Sequence, residues 1–275
     1  MLKRLCKRSK LFITFVLVLS LIFSNVIYTN AEDGKTLEYN GLEFSITQSD
    51  SSYILTCKED GYEYQAQLKK LSNKIHIICN KDSLLTKKNI YDCDVDIKSF
   101  DKKNSELEYV LTDNNTGIKK EINDSKYLQG QAPIVWGAIA LADLIAALLY
   151  ATAVTVELGI MYYNLTDVLS DIQEDAPKNQ KYYYYAKVQG SQLLIGSAFA
   201  NEAAAITYAR SNIGSSVYGI FCIGYVRAMN LAATVSPEFL AYTDGKHVAA
   251  DGYRPHYHPR LGTSGMLHYD LHCWY

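Results

Sequence analysis

The chain has 275 residues, 27 Lys and Arg against 29 Asp and Glu, a formal net charge of −2 and 48 % hydrophobic side chains. That near-neutral balance argues against a broad nucleic-acid or anionic-membrane surface, which would need a large basic excess. The length suits one large domain or two small ones.

Residues 1–31 read as a secretory signal peptide. Lys3, Arg4, Lys7, Arg8 and Lys10 form a basic start, residues 11–23 an apolar stretch, and Thr29-Asn30-Ala31 a small-residue cleavage site before Glu32. Thirteen or so apolar residues are short for a permanent span, so export is expected. Cys6 lies in the basic start, which rules it out as a lipoprotein cysteine. Cys57, Cys79, Cys93, Cys222 and Cys273 follow the leader. Outside the cytosol Cys57–Cys79 or Cys222–Cys273 could oxidise, but the number is odd and no framework spacing is present.

Residues 32–130 alternate apolar and polar side chains over 37–47, 53–58, 62–68, 74–79, 93–100 and 107–111, with turn chemistry at Asn40-Gly41, Asp60-Gly61, 102–104 and 114–117. This pattern predicts an antiparallel β meander. His76 stands alone between Ile75 and Ile77 and is read as structural.

Residues 131–175 change character. From Ile134 to Val156 the only charge is Asp143, and the run is rich in Ala and Leu. As one helix it would reach about 35 Å, long enough for a bilayer core. Asp143 within a span would cost roughly 2.5–3.5 kcal/mol on insertion scales. Membrane insertion of residues 134–156 is favoured, with a buried hairpin broken near 151–155 as the alternative.

Residues 176–275 follow a linker at 175–179. They predict an aromatic strand at 182–188 with a partner at 192–197, a helix at 201–211, a strand at 217–223, a helix at 226–235, and a terminal strand at 267–275. The expected fold class is α+β: an N-terminal antiparallel β meander, a central apolar helical segment and a small C-terminal α+β domain. The expected domain organisation is 1–31, 32–130, 131–175 and 176–275.

Five of the six histidines fall in this last part: His247, His256, His258, His268 and His272. In His256-Tyr257-His258 an extended backbone points both imidazoles to one face, and Pro255 and Pro259 brace that backbone. On the terminal strand His268, Asp270, His272 and Trp274 would share one face, and Leu267, Tyr269, Leu271 and Cys273 the other. Two chemistries fit. A histidine pair could act as general base and acid in phosphodiester cleavage, with Arg254 or Arg260 stabilising the developing charge. Alternatively His256, His258, His268 and His272, with Asp270 or water, could hold a divalent metal such as zinc that activates water. The spacing H-x-H-x9-H-x3-H matches no zincin, zinc-finger or deaminase pattern, and no asparagine follows Asn230 to complete an HNH-type site.

The run His256-Tyr257-His258-Pro259 and the terminal quartet His272-Cys273-Trp274-Tyr275 resemble a family of secreted polymorphic toxins of Gram-positive bacteria. The likeness covers roughly residues 180–275, with a weaker echo in the leader and the central apolar segment. It departs in lacking a glycine after Tyr275 and in having the additional His268. The resemblance implies a toxin-like C-terminal effector, puts His256, His258 and His272 forward as its working residues, and makes an immunity protein its expected partner. The expectation is thus a secreted antibacterial effector with a histidine-dependent domain, as a nuclease acting on RNA ahead of DNA. The alternative is a membrane-active protein with a non-enzymatic or metal-binding C-terminal domain.

Overall fold

A computed structural model describes residues 27–31, 34–49, 51–82, 87–102, 106–123, 135–136, 139–244, 254–262 and 268–275. The apolar stretch 11–23 of the expected leader and His247 lie outside the described residues. Among the described residues 51 % lie in strands and 24 % in helices. The expected α+β class is therefore corrected: the protein is mostly β. It divides into two compact units. The first takes in the described residues up to Leu68, Ile75–Val95 and Leu111–Thr152; the second comprises Lys69–Lys74, Asp96–Val110 and Ala153–Tyr275.

Nine strands follow one another in sequence order in one sheet: β1 (Ile27–Ala31), β2 (Gly34–Tyr39), β3 (Leu42–Gln48), β4 (Ser52–Glu59), β5 (Tyr62–Lys69), β6 (Lys74–Asp82), β7 (Lys87–Asp101), β8 (Glu106–Asp113) and β9 (Lys119–Asn123). The β2–β3 and β4–β5 hairpins turn on Asn40-Gly41 and Asp60-Gly61, whose φ values of 51° and 77°, and 50° and 76°, are those of type I′ turns. Period-two alternation then buries Leu37, Phe44, Leu55, Tyr64, Ala66, Ile75 and Ile77.

The apolar run does not form one long helix, so the expected central apolar segment is corrected. It holds two short strands, β10 (Val135–Trp136) and β11 (Ile139–Ala140), then α1 (Leu141–Ala151). Helix α1 ends where the Thr152 hydroxyl donates to Leu148 O at 2.9 Å and Ala153 turns to φ 53°. The chain is then extended as β12 (Thr155–Glu157). Burial of Leu141 and of Leu144–Leu149 accounts for the apolar composition. Asp143 accepts a hydrogen bond from Asn40 Nδ2 at 2.8 Å on the half-buried side of the helix, and Tyr150 packs its ring 5.5 Å from that of Tyr39. No helix among the described residues is long and apolar enough to cross a membrane.

The second unit is built on an eight-stranded sheet. Besides β12 its strands are β13 (Ile160–Asn164), β14 (Tyr183–Gln189), β15 (Gln192–Ala198), β16 (Tyr218–Cys222), β17 (Ala241–Asp244), β18 (His256–Pro259) and β19 (His272–Trp274). Their order is β12-β13-β15-β14-β16-β19-β18-β17. Helix α2 (Leu165–Asn179) is capped by Asn164, whose side chain accepts from Thr166 N, and ends at Gln180 in the left-handed region. It runs through the expected linker at 175–179, because Val168, Ile172 and Ala176 form one buried stripe that outweighs the local Pro177-Lys178-Asn179 signal. Helices α3 (Glu202–Ser211) and α4 (Tyr225–Val235) complete the unit. Ala205, Ala209, Ala228, Leu231, Ala232 and Val235 on these helices share a core with Ile220, Leu271 and Cys273. Strands β16 and β19 are parallel, and the connection between them carries both α4 and the β17–β18 pair. That crossover brings the two histidine-bearing strands side by side.

The cysteines contribute to the cores as buried free thiols: Cys57, Cys79, Cys93, Cys222 and Cys273 are all unoxidised. The Cys57–Cys79 and Cys222–Cys273 disulfides weighed from the sequence are not formed. Burial pushes the Cys57 and Cys79 thiols up to about 11 and that of Cys273 up to about 12, so none is a thiolate at neutral pH.

Candidate metal centre

Strand β18 sends His256 and His258 to one face and Tyr257 to the other, where Tyr257 packs with Tyr275 and Cys273 on the α4 side. Strand β19 repeats the alternation, and its antiparallel register sets His256 opposite Trp274 and Tyr257 opposite Cys273. His272 and Trp274 therefore join His256 and His258 on the face away from α4. The ring of His256 lies 4.8 Å from those of both His258 and His272, and the His258 and His272 rings are 4.5 Å apart. One ligand nitrogen from each of the three falls within 4.8 Å of the others. His256 is 0 % and His258 2 % exposed, and His272 is half-buried.

Two of the imidazoles have their tautomer fixed by the backbone. His256 Nδ1 is 2.9 Å from Arg254 O, and His258 Nδ1 is 3.0 Å from Tyr269 O. A carbonyl oxygen only accepts, so each Nδ1 carries the proton and donates it, which leaves Nε2 as the ligating atom. Metal-binding histidines are commonly oriented in this way. Burial, followed by the neighbouring imidazoles of His256 and His268, pushes His258 down from 6.5 to about 4, against the opposing pull of the Tyr269 and Leu271 carbonyls. At neutral pH His258 is thus an uncharged ligand, with its one ring proton on Nδ1 and none on Nε2.

His256, His258 and His272 could hold a metal ion. The donor set fits a borderline transition metal better than magnesium or calcium, which take oxygen ligands. Tetrahedral zinc with Zn–N of about 2.0–2.1 Å spaces its nitrogens by about 3.4 Å. Contraction from the present 4.8 Å limit requires only ring adjustments on the order of an ångström.

The remaining sequence-derived residues fall at different distances from this group. His268 forms a bridge with Arg260, and its ring lies 4.1 Å from that of His258 and stacks on Tyr242 at 4.9 Å and 19°. It sits at the edge of the triad. Asp270 is exposed and outside the three-histidine group. The described terminal strand covers only His272–Trp274, so the expected shared face of His268, Asp270, His272 and Trp274 is reduced to its last two members. Arg254 contributes its carbonyl. Arg260 is held through its backbone, donating N–H to Leu240 O and accepting from the Ser236 hydroxyl. In the first unit His76 pairs with Asp94 at 2.9 Å, a local contact between β6 and β7.

Sequence reasoning missed Tyr242, which pairs with His258 in the β17–β18 register and covers His268. The short run Ala241-Tyr242-Thr243-Asp244 gives too little alternation to announce a strand. Comparison with protein families, with characterised proteins and with solved structures finds no match to this chain.

Proposed function

We propose that this chain is a secreted effector of the polymorphic-toxin type whose second unit is a divalent-metal hydrolase. Zinc is the favoured ion, and nucleic-acid phosphodiesters, RNA ahead of DNA, are the favoured substrate. The convergence of His256, His258 and His272 from two strands carries the reading. An ion held there supplies Lewis acidity and an activated water. The chain's own residues do the rest: the Arg254 and Tyr269 carbonyls hold two imidazoles in the ligating tautomer, and Arg254 and Arg260, which flank the HYHP run, are the cations assigned to phosphate charge. A metal-free acid–base pair is the weaker chemistry, since such a group works best with a pKa near the operating pH, whereas His258 lies near 4. An immunity protein is the partner that this reading requires.

Residues 27–275 are the piece to express inside a bacterium, because a cut at 176 would sever α2 and one at 32 would remove β1. Induction is expected to lower colony counts on the order of a hundredfold or more, with fragmented RNA, because a catalyst turning over about 1–10³ times per second acts on many molecules per copy. The His256→Ala, His258→Ala double variant should grow normally. Equal growth of both strains with intact RNA and DNA contradicts the proposal.

A further inference from the structure

Resting on the metal reading above, we infer that Trp274 is a positioning residue for His272 and that Gly219 is the gap that admits it. Gly219 pairs with His272 across the parallel β16–β19 contact. A Cβ at residue 219 would stand 2.2 Å from His272 O and 2.6 Å from Trp274 Cζ3. The requirement is for space, since backbone and a buried indole both occupy the place a side chain would take.

That space lets β19 close against β16 while the indole lies across the strand, 1 % exposed. The Trp274 ring is parallel to His272, with centroids 4.9 Å apart and planes 4° from each other, and 6.5 Å from that of His256. An imidazole rotates about a broad, roughly two-fold torsion. A flat indole face beside it leaves one plane favoured, so the His272 nitrogen is held towards His256 and His258 before any ion arrives. The backbone carbonyls orient two ligands, and the indole orients the third.

The test uses the full chain, stripped with chelator, and Co2+ as the probe, whose visible absorption reports ligand geometry. Trp274→Phe keeps a planar face and is expected to bind within about threefold of the unsubstituted chain, with the same spectrum. Trp274→Leu and Gly219→Ala are expected to bind about 10- to 100-fold more weakly, the range for outer-shell partners of a metal ligand, with an altered band and unchanged circular dichroism. A folded Trp274→Leu chain with unsubstituted affinity and spectrum overturns the inference. If both disruptive variants fail to fold, tryptophan fluorescence decides. Metal should change the emission of the unsubstituted chain but not of Trp274→Phe, and no change in the former overturns the inference. If the unsubstituted chain binds no Co2+ at all, the metal reading itself fails.

Discussion

Replacing both His256 and His258 by alanine is expected to abolish stoichiometric zinc binding, with affinity falling on the order of a thousandfold or more. Structural zinc sites have apparent binding free energies of about 10–16 kcal/mol spread over four ligands. Loss of two imidazoles thus removes several kcal/mol, and each 1.4 kcal/mol is about tenfold. Ligand binding to the folded chain also stabilises it, by about 4 kcal/mol at a thousand times Kd. Thermal unfolding of the unsubstituted chain should therefore shift upward with added zinc, while the double variant should melt at the same temperature with and without it. His268→Ala should have a smaller effect, because His268 lies beside His258 rather than within the triad. An unchanged zinc response in the double variant would show that the ion sits elsewhere.

The second large effect is expected at Glu157. Its carboxylate accepts hydrogen bonds from the Lys187 ammonium and the Tyr218 hydroxyl, bridging β12, β14 and β16. The Lys187 side chain is only 6 % exposed and lies 5.0 Å over the Tyr162 ring, whereas Glu157 is 38 % exposed. Removing one partner of a buried pair costs about 3–5 kcal/mol, because the other charge is left without compensation. Water reaches Glu157, so Glu157→Ala is expected to cost about 2–3 kcal/mol, read from urea unfolding. Replacing the pair by Gln and Met should be close to neutral. Burial alone would raise the Glu157 pKa, but the Lys187 and Tyr218 hydrogen bonds and the Lys187 charge hold it below 4.5. The folded state thus binds its proton less readily than the unfolded one. The contribution is present above about pH 4.5 and is lost as pH falls through the lowered value. A Glu157→Ala chain as stable as the unsubstituted one would remove the ion pair from the account.

Local chemistry was legible wherever one residue pattern sufficed. The alternation at 62–68 lies within β5 because one side of that strand is buried, and Asn40-Gly41 turns as type I′ because both residues accept positive φ. His256 and His258 share a face because Pro255 and Pro259 hold them extended. The meeting of His272 with them was less accessible: it depends on the antiparallel pairing of β18 with β19, a register that no local spacing encodes. The α+β class failed for a related reason. Apolar composition at 134–156 suggested one helix, whereas the chain turns at Ala153 into a β12–β13 hairpin through Leu158-Gly159, and Leu158 is 83 % exposed at φ 52°. A leucine there sends no turn signal. Gly219 was unreadable without the indole that fills its empty side.

Calorimetric titration of zinc into the chelator-stripped full chain at pH 7.5, repeated in buffers of different ionisation heat, reads the metal centre directly. A metal centre at His256, His258 and His272 gives one saturable site with Kd below about a micromolar. Binding there releases less than about one proton, because metal displaces protons only from ligands that carry them, and His258 is already neutral. Heats that never saturate, or saturation that survives alanine at His256 and His258 together, would contradict this centre.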